Sequence, residues 1–152
     1  MRIVPVLLLA WLVVGCAQTR TYQVSVANHT SEPITFGLVK EGEPFERQWE
    51  SPEDAAINEE HPNSAMWDTI APGRTAVSNP VQGKFARGAV AVLRVYLGKL
   101  TLPEILAVSR GQPNRVDVPL HPGMNAFRVT DEGGHFTATP ADRPSGQAAA
   151  AQ

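Results

Sequence analysis

The sequence predicts an all-β domain, a small Greek-key β-sandwich of the Ig-like or transthyretin-like kind with one short helical insertion. Three observations point there. Short segments alternate apolar and polar residues with a period of two. Gly and Pro, at 12 and 13 of 152 residues, fall largely between those segments. The hydrophobic share of 43% supplies a core, but that many Gly and Pro residues argue against a helical bundle. The length suits one domain. No G-X-Y period exists, so a collagen-like chain is excluded, and the formal charge of −2 gives no sign of a nucleic-acid partner.

Residues 1–15 read as an address rather than as fold. Arg2 supplies a positive start, and residues 3–14 (IVPVLLLAWLVV) form an uncharged apolar run. That run falls short of the roughly 20 helical residues a bilayer span needs. It suits the hydrophobic stretch of a signal peptide. The segment Leu12-Val13-Val14-Gly15-Cys16 then resembles the lipobox of bacterial lipoproteins, with small Gly15 before the cut and aliphatic Val13 upstream.

The resemblance implies cleavage before Cys16, diacylglycerol on its sulfur and usually an amide-linked acyl chain such as palmitate. It makes Cys16 the lipidation site and places the protein in the cell envelope. Ala17, rather than Asp, follows the cysteine; by the sorting rules of enterobacterial lipoproteins this favours the outer membrane, facing the periplasm. Each buried CH₂ of the acyl chains contributes about 0.8 kcal/mol of anchoring. Cys16 is the only cysteine, so no disulfide is available to staple the domain. Cleavage removes Arg2 and takes the formal charge to −3. Residues 16–21 are then the lipidated cysteine and a tether.

The folded domain is expected over 22–139. Segment 22–28 (YQVSVAN) puts Tyr22, Val24 and Val26 on one face. Segment 34–40 (ITFGLVK) does the same with Ile34, Phe36 and Leu38. The five residues between them predict an antiparallel neighbour pair. A third strand is expected at 75–77, after the Pro72-Gly73 turn. Segment 89–97 (AVAVLRVYL) is apolar on both faces and predicts a central strand. Segments 105–109, 115–120, 126–130 and 135–139 complete the set, separated by Gly- and Pro-containing turns.

The insertion at 41–71 is too long for a hairpin connection. Ser51-Pro52-Glu53-Asp54 predicts a helix start, with Ser51 as N-cap and Pro52 in the first turn, and His61-Pro62 ends it. So short a helix must dock through large apolar anchors, with Ile57, Phe45, Trp49 and Trp67 the candidates. Residues 67–70 read as a further short strand. The segment 140–152 (PADRPSGQAAAAQ) lacks core-forming residues and is expected to be a disordered tail.

Candidate sites are few. Carboxylates dominate 32–61 (Glu32, Glu41, Glu43, Glu46, Glu50, Glu53, Asp54, Glu59, Glu60), against Lys40 and Arg47. Bases dominate 74–128 (Arg74, Lys84, Arg87, Arg94, Lys99, Arg110, Arg115, Arg128), against Glu104 and Asp117. The two sets either form an interaction surface or fold over and screen one another. His61 with Glu53, Asp54, Glu59 and Glu60 matches neither a calcium loop nor a zinc helix, and would need His29, His121 or His135 brought in. No metal and no cofactor is therefore expected. With the single thiol used as an anchor and no G-x-S-x-G motif, an enzyme is not expected; Ser109, His121 and Asp117 are a trio that any small protein supplies. Asn28-His29-Thr30 matches a glycosylation acceptor by accident of sequence.

Trp49 and Trp67 flank the insertion. They are the candidate contacts for a partner or glycan, or else the pins that hold the insertion to the sandwich. The expected function is a membrane-anchored periplasmic lipoprotein, acting as an accessory or protein-interaction domain with an envelope protein as partner. The alternatives are a carbohydrate- or peptidoglycan-binding module built on the two tryptophans, and a small envelope enzyme.

Overall fold

The computed structural model describes residues 17–51, 67–107 and 114–142. The signal segment expected at 1–15, Cys16, the helix expected after Ser51, His61, residues 108–113 and the segment from 143 onward lie outside the described residues. Those described form a two-sheet β-sandwich of nine strands.

The first sheet is built on β1 (Gln18–Asn28). On one flank β1 runs parallel to β8 (Gly123–Glu132), from Tyr22↔Gly123 to Asn28↔Val129. β8 in turn pairs antiparallel with β9 (His135–Pro140). On the other flank two short strands share β1. β4 (Thr75–Val77) pairs with Ser25 to Ala27, and β5 (Val81–Phe85) with Gln18 to Tyr22. Between them Ser78 spans the break: its N–H donates to the Val24 carbonyl at 2.9 Å, and its hydroxyl accepts from the Val24 N–H at 3.1 Å. Pro80, which cannot donate to a ladder, sits at this break on the sheet margin.

The second sheet has the order β3-β2-β6-β7, all antiparallel, with β2 (Ile34–Glu41), β3 (Asp68–Ile70), β6 (Val90–Leu97) and β7 (Arg115–Pro119). β6 is the central strand its composition predicts. Ala91, Leu93 and Val95 join the core, and Val92, Arg94 and Tyr96 on its other face are buried as well. The core runs between the sheets through Tyr22, Val24 and Val26 of β1, Ile34 and Phe36 of β2, and Phe127 and Val129 of β8.

Three expectations are corrected. β1 and β2 are not paired: they lie in different sheets, and residues 29–33 carry the chain across the sandwich. Alternation tells a strand which face to bury, not which neighbour to take. Asn28 organises that crossing. It is wholly buried, its amide donates to the carbonyls of Glu32 and Ile70 (both 2.9 Å), and its side-chain oxygen accepts from the N–H and hydroxyl of Thr30 (2.9 and 2.8 Å). An amide so enclosed is no glycan acceptor.

Second, the chain is helical, not extended, at 105–107: α1 spans Leu102–Ala107. At its start Glu104 reaches back and accepts from both the N–H and the hydroxyl of Thr101 at 2.7 Å, the returning half of a capping box. Third, β1 begins at Gln18, so residues 18–21, expected as tether, are strand, held by β5.

Candidate functional site

β3 covers β2 only from Ile34 to Phe36. At Gly37 and Leu38 that flank of β2 faces a cleft of about 460 Å³. Its walls are Phe36, Gly37 and Leu38 of β2, Trp67 and Asp68 leading into β3, and Ser78, Asn79 and Val81 at the break between β4 and β5. A short 3-10 turn, Arg47–Trp49, closes the third side and contributes Arg47 and Gln48, followed by Glu50. The lining combines aromatic and aliphatic surface with one guanidinium, two carboxylates and two amides. Such a mixture suits an extended peptide, whose side chains are apolar and whose backbone needs donors and acceptors.

Each wall is held from behind. Gln48 donates to the Gln82 carbonyl at 3.1 Å, tying the turn to β5. Lys40, almost wholly buried, pairs with Glu46 at 2.6 Å and also donates to the Lys84 carbonyl. Burial raises the pKa of the Glu46 carboxyl, but the Lys40 hydrogen bond, the Lys84 N–H and the two ammonium charges outweigh it and hold it below its ordinary 4.5.

The two tryptophans have different fates. Trp49 is 2% exposed, edge-on to Tyr22 and Phe85 with ring centroids 5.4 Å away in each case, and its Nε1 donates to the Gln82 carbonyl at 3.1 Å. So placed, Trp49 offers no face for a sugar to stack on and pins the turn to the first sheet, the second of the two roles the sequence allows it. Trp67 is half-buried and lines the cleft. Its ring lies over Gly37, where an added Cβ would sit 2.6 Å from the indole, and meets Tyr96 edge-on at 5.7 Å. Its Nε1 is buried with no acceptor among the described residues. The pair therefore does not form a two-ring platform.

Within the second sheet Arg94 and Arg115 of the basic segment meet an acid of that same segment, Asp117, and Arg94 also reaches Glu41 of the acidic one. Asp117 on β7 accepts from Arg94 Nε at 3.1 Å and from Arg115 Nε and Nη2 at 3.1 and 2.8 Å. Arg94 also approaches Glu41, at 3.9 Å. Burial raises the Asp117 pKa, and the hydrogen bonds and charges of Arg115 and Arg94 more than reverse it, leaving the carboxyl below its ordinary 3.8. Asp117 is thus committed to two guanidinium groups, and Ser109 of the imagined trio lies outside the described residues. His121 is exposed at the end of the sandwich where β1 begins, whereas His29 and His135 are exposed at the opposite end. Among the described residues no group of three His, Cys, Asp or Glu side chains is placed to hold a metal ion.

Sequence reasoning missed the cleft. The one available signal was the shortness of the strand at 67–70 beside a longer partner.

No protein-family model matches the chain, and no curated protein matches it. Among solved structures it is similar to the crystal structure of the T6SS lipoprotein TssJ1 from Pseudomonas aeruginosa. That match has a TM-score of 0.36 and 8% identity, and covers 84% of this chain and 99% of the other.

Proposed function

We propose that this chain is a lipid-anchored envelope protein whose sandwich serves as a protein-interaction domain, with the cleft beside β2 as its binding surface. The lipobox-like run ending at Gly15-Cys16 supports the anchor, and Ala17 the outer membrane. The observation that carries the interaction reading is the flank of β2 beyond Phe36, which β3 leaves uncovered and which opens into the cleft. An extended segment of a partner protein fits beside Gly37 and Leu38 and can place an apolar side chain against Trp67. Tethering to the membrane raises the effective concentration of such a surface, so a modest interface suffices.

The test is in-cell crosslinking from a photoreactive residue at Asn79 or Gln48, with mass spectrometry of what is captured. One dominant protein, lost when Cys16→Ser releases the chain from the membrane fraction, is the expected result. Capture of peptidoglycan fragments would transfer the cleft to glycan binding through Trp67. Capture of no specific protein from either position would overturn the interaction reading.

A further inference from the structure

We infer that the end of the sandwich carrying the 42–46 and 86–89 turns lies against the membrane, on anionic phospholipid headgroups, so that the domain is docked rather than swinging on its anchor. The inference rests on the lipoprotein reading of Cys16. Only Ala17 separates that cysteine from Gln18, which is already paired with Phe85. Two residues of chain span at most about 7 Å. The acyl chains therefore hold this end of the sandwich at the bilayer, with no room for a flexible spacer.

What lies at that end fits a lipid surface. β5 finishes at Phe85 and turns through 86–89 into β6; β2 finishes at Glu41 and turns through 42–46. The two turns are clamped together, with Ala86 N–H donating to the Glu43 carbonyl at 3.0 Å. Phe45, at the tip of one turn, is 57% exposed, and Val90, where the other turn enters β6, is 38% exposed. They are two of the three large hydrophobic side chains exposed among the described residues. Arg87 and Lys84 are exposed beside them, and Arg20 lies on the adjoining stretch of β1.

The acids nearby are mostly occupied. Glu46 is paired with Lys40, Glu41 faces Arg94, and the Glu43 carboxylate accepts from the Phe45 N–H at 3.0 Å. An exposed aromatic at a loop tip, with Lys84 and Arg87 exposed on the clamped neighbouring strand and turn and an acylated residue held close by, is an arrangement that can insert at an interface and pair with anionic headgroups.

The test uses the full mature protein, lipidated and reconstituted in phosphatidylethanolamine vesicles containing phosphatidylglycerol. Ala86→Cys and, as the distant control, Glu132→Cys each give a single free thiol for a fluorophore, quenched by lipids spin-labelled on their acyl chains. Expected is several-fold stronger quenching at 86 than at 132, falling toward the control value with Phe45→Ser or Arg87→Glu, and falling also when phosphatidylglycerol is replaced by phosphatidylcholine. Mass spectrometry of the N-terminal peptide is read on the same samples. Equal quenching at both positions on protein acylated at Cys16 overturns the docking and leaves the lipoprotein reading standing. An unmodified Cys16 overturns both. Quenching at 86 that is indifferent to both Arg87→Glu and phosphatidylglycerol overturns the anionic surface.

Discussion

Trp49 fills the space that a side chain at position 83 would need. A Cβ built on Gly83 runs into the indole Nε1, the atom that donates to the neighbouring Gln82 carbonyl. β5 can pair with β1 and still accept the indole only because residue 83 has no side chain. Gly83→Ala should therefore destabilise the domain by about 1–3 kcal/mol through overpacking and strain on that hydrogen bond. Urea denaturation followed by tryptophan fluorescence measures it. A cost near zero would mean that the turn at 47–49 is not fixed by this contact.

Asp117→Asn leaves two buried guanidinium groups without their shared carboxylate. The expected loss is about 3 kcal/mol, typical of breaking a buried ion pair by removing one partner. The substitution also changes the pH profile. A carboxyl whose folded pKa lies below its unfolded value of 3.8 stabilises fully above that value, and its contribution is lost as pH falls through the folded pKa. Urea midpoints measured between about pH 5 and pH 2 should fall with acid in the wild type and fall less steeply in Asp117→Asn. Glu46 supplies acid sensitivity of the same sign in both.

Thr101→Ala removes the hydroxyl that donates to Glu104 across the first turn of α1. The effect on global stability should be small. It should be felt locally, as faster hydrogen exchange at the α1 amides with the strand amides unchanged. Uniform loss of protection throughout the domain would show that α1 is coupled to the sandwich.

Gly37→Ala addresses the cleft. The new methyl would meet the Trp67 ring at 2.6 Å, so the ring must move. The expected outcome is a shifted Trp67 emission, a stability loss of about 1–3 kcal/mol, and loss of the crosslink from Asn79 in a domain that remains folded. An unchanged crosslink would separate Trp67 from partner binding.

Some elements are legible in the sequence and others are hidden in it. β6 was plain because its β-branched and aromatic residues fill both faces. β4, β8 and β9 were marked by turns on either side. β5 was missed, because Val81-Gln82-Gly83-Lys84-Phe85 puts a glycine where alternation asks for an apolar side chain. The missing hydrophobe arrives from elsewhere as Trp49, and no local pattern records that. Around α1 the sequence carries two competing signals: the aliphatic run from Ile105 favours a strand, and Thr101-Leu102-Pro103-Glu104, a capping-box signature, favours the helix that forms. The crossing from β1 to β2, and with it the cleft, depends on which sheet each strand joins, and a period-two pattern is silent on that.

The parallel pairing of β1 with β8 bears on when this protein can fold. β1, the first of the described strands, lies inside its sheet, and one of its two flanks is completed only by β8, about a hundred residues later along the chain. Until Phe127 arrives beside Val26, that flank of β1 has no hydrogen-bonded neighbour. Contacts so distant along the chain make for slow closure and an all-or-none assembly. The same wiring makes the C-terminal strands indispensable: cutting before β8 would not trim a margin but would open the sheet along its middle.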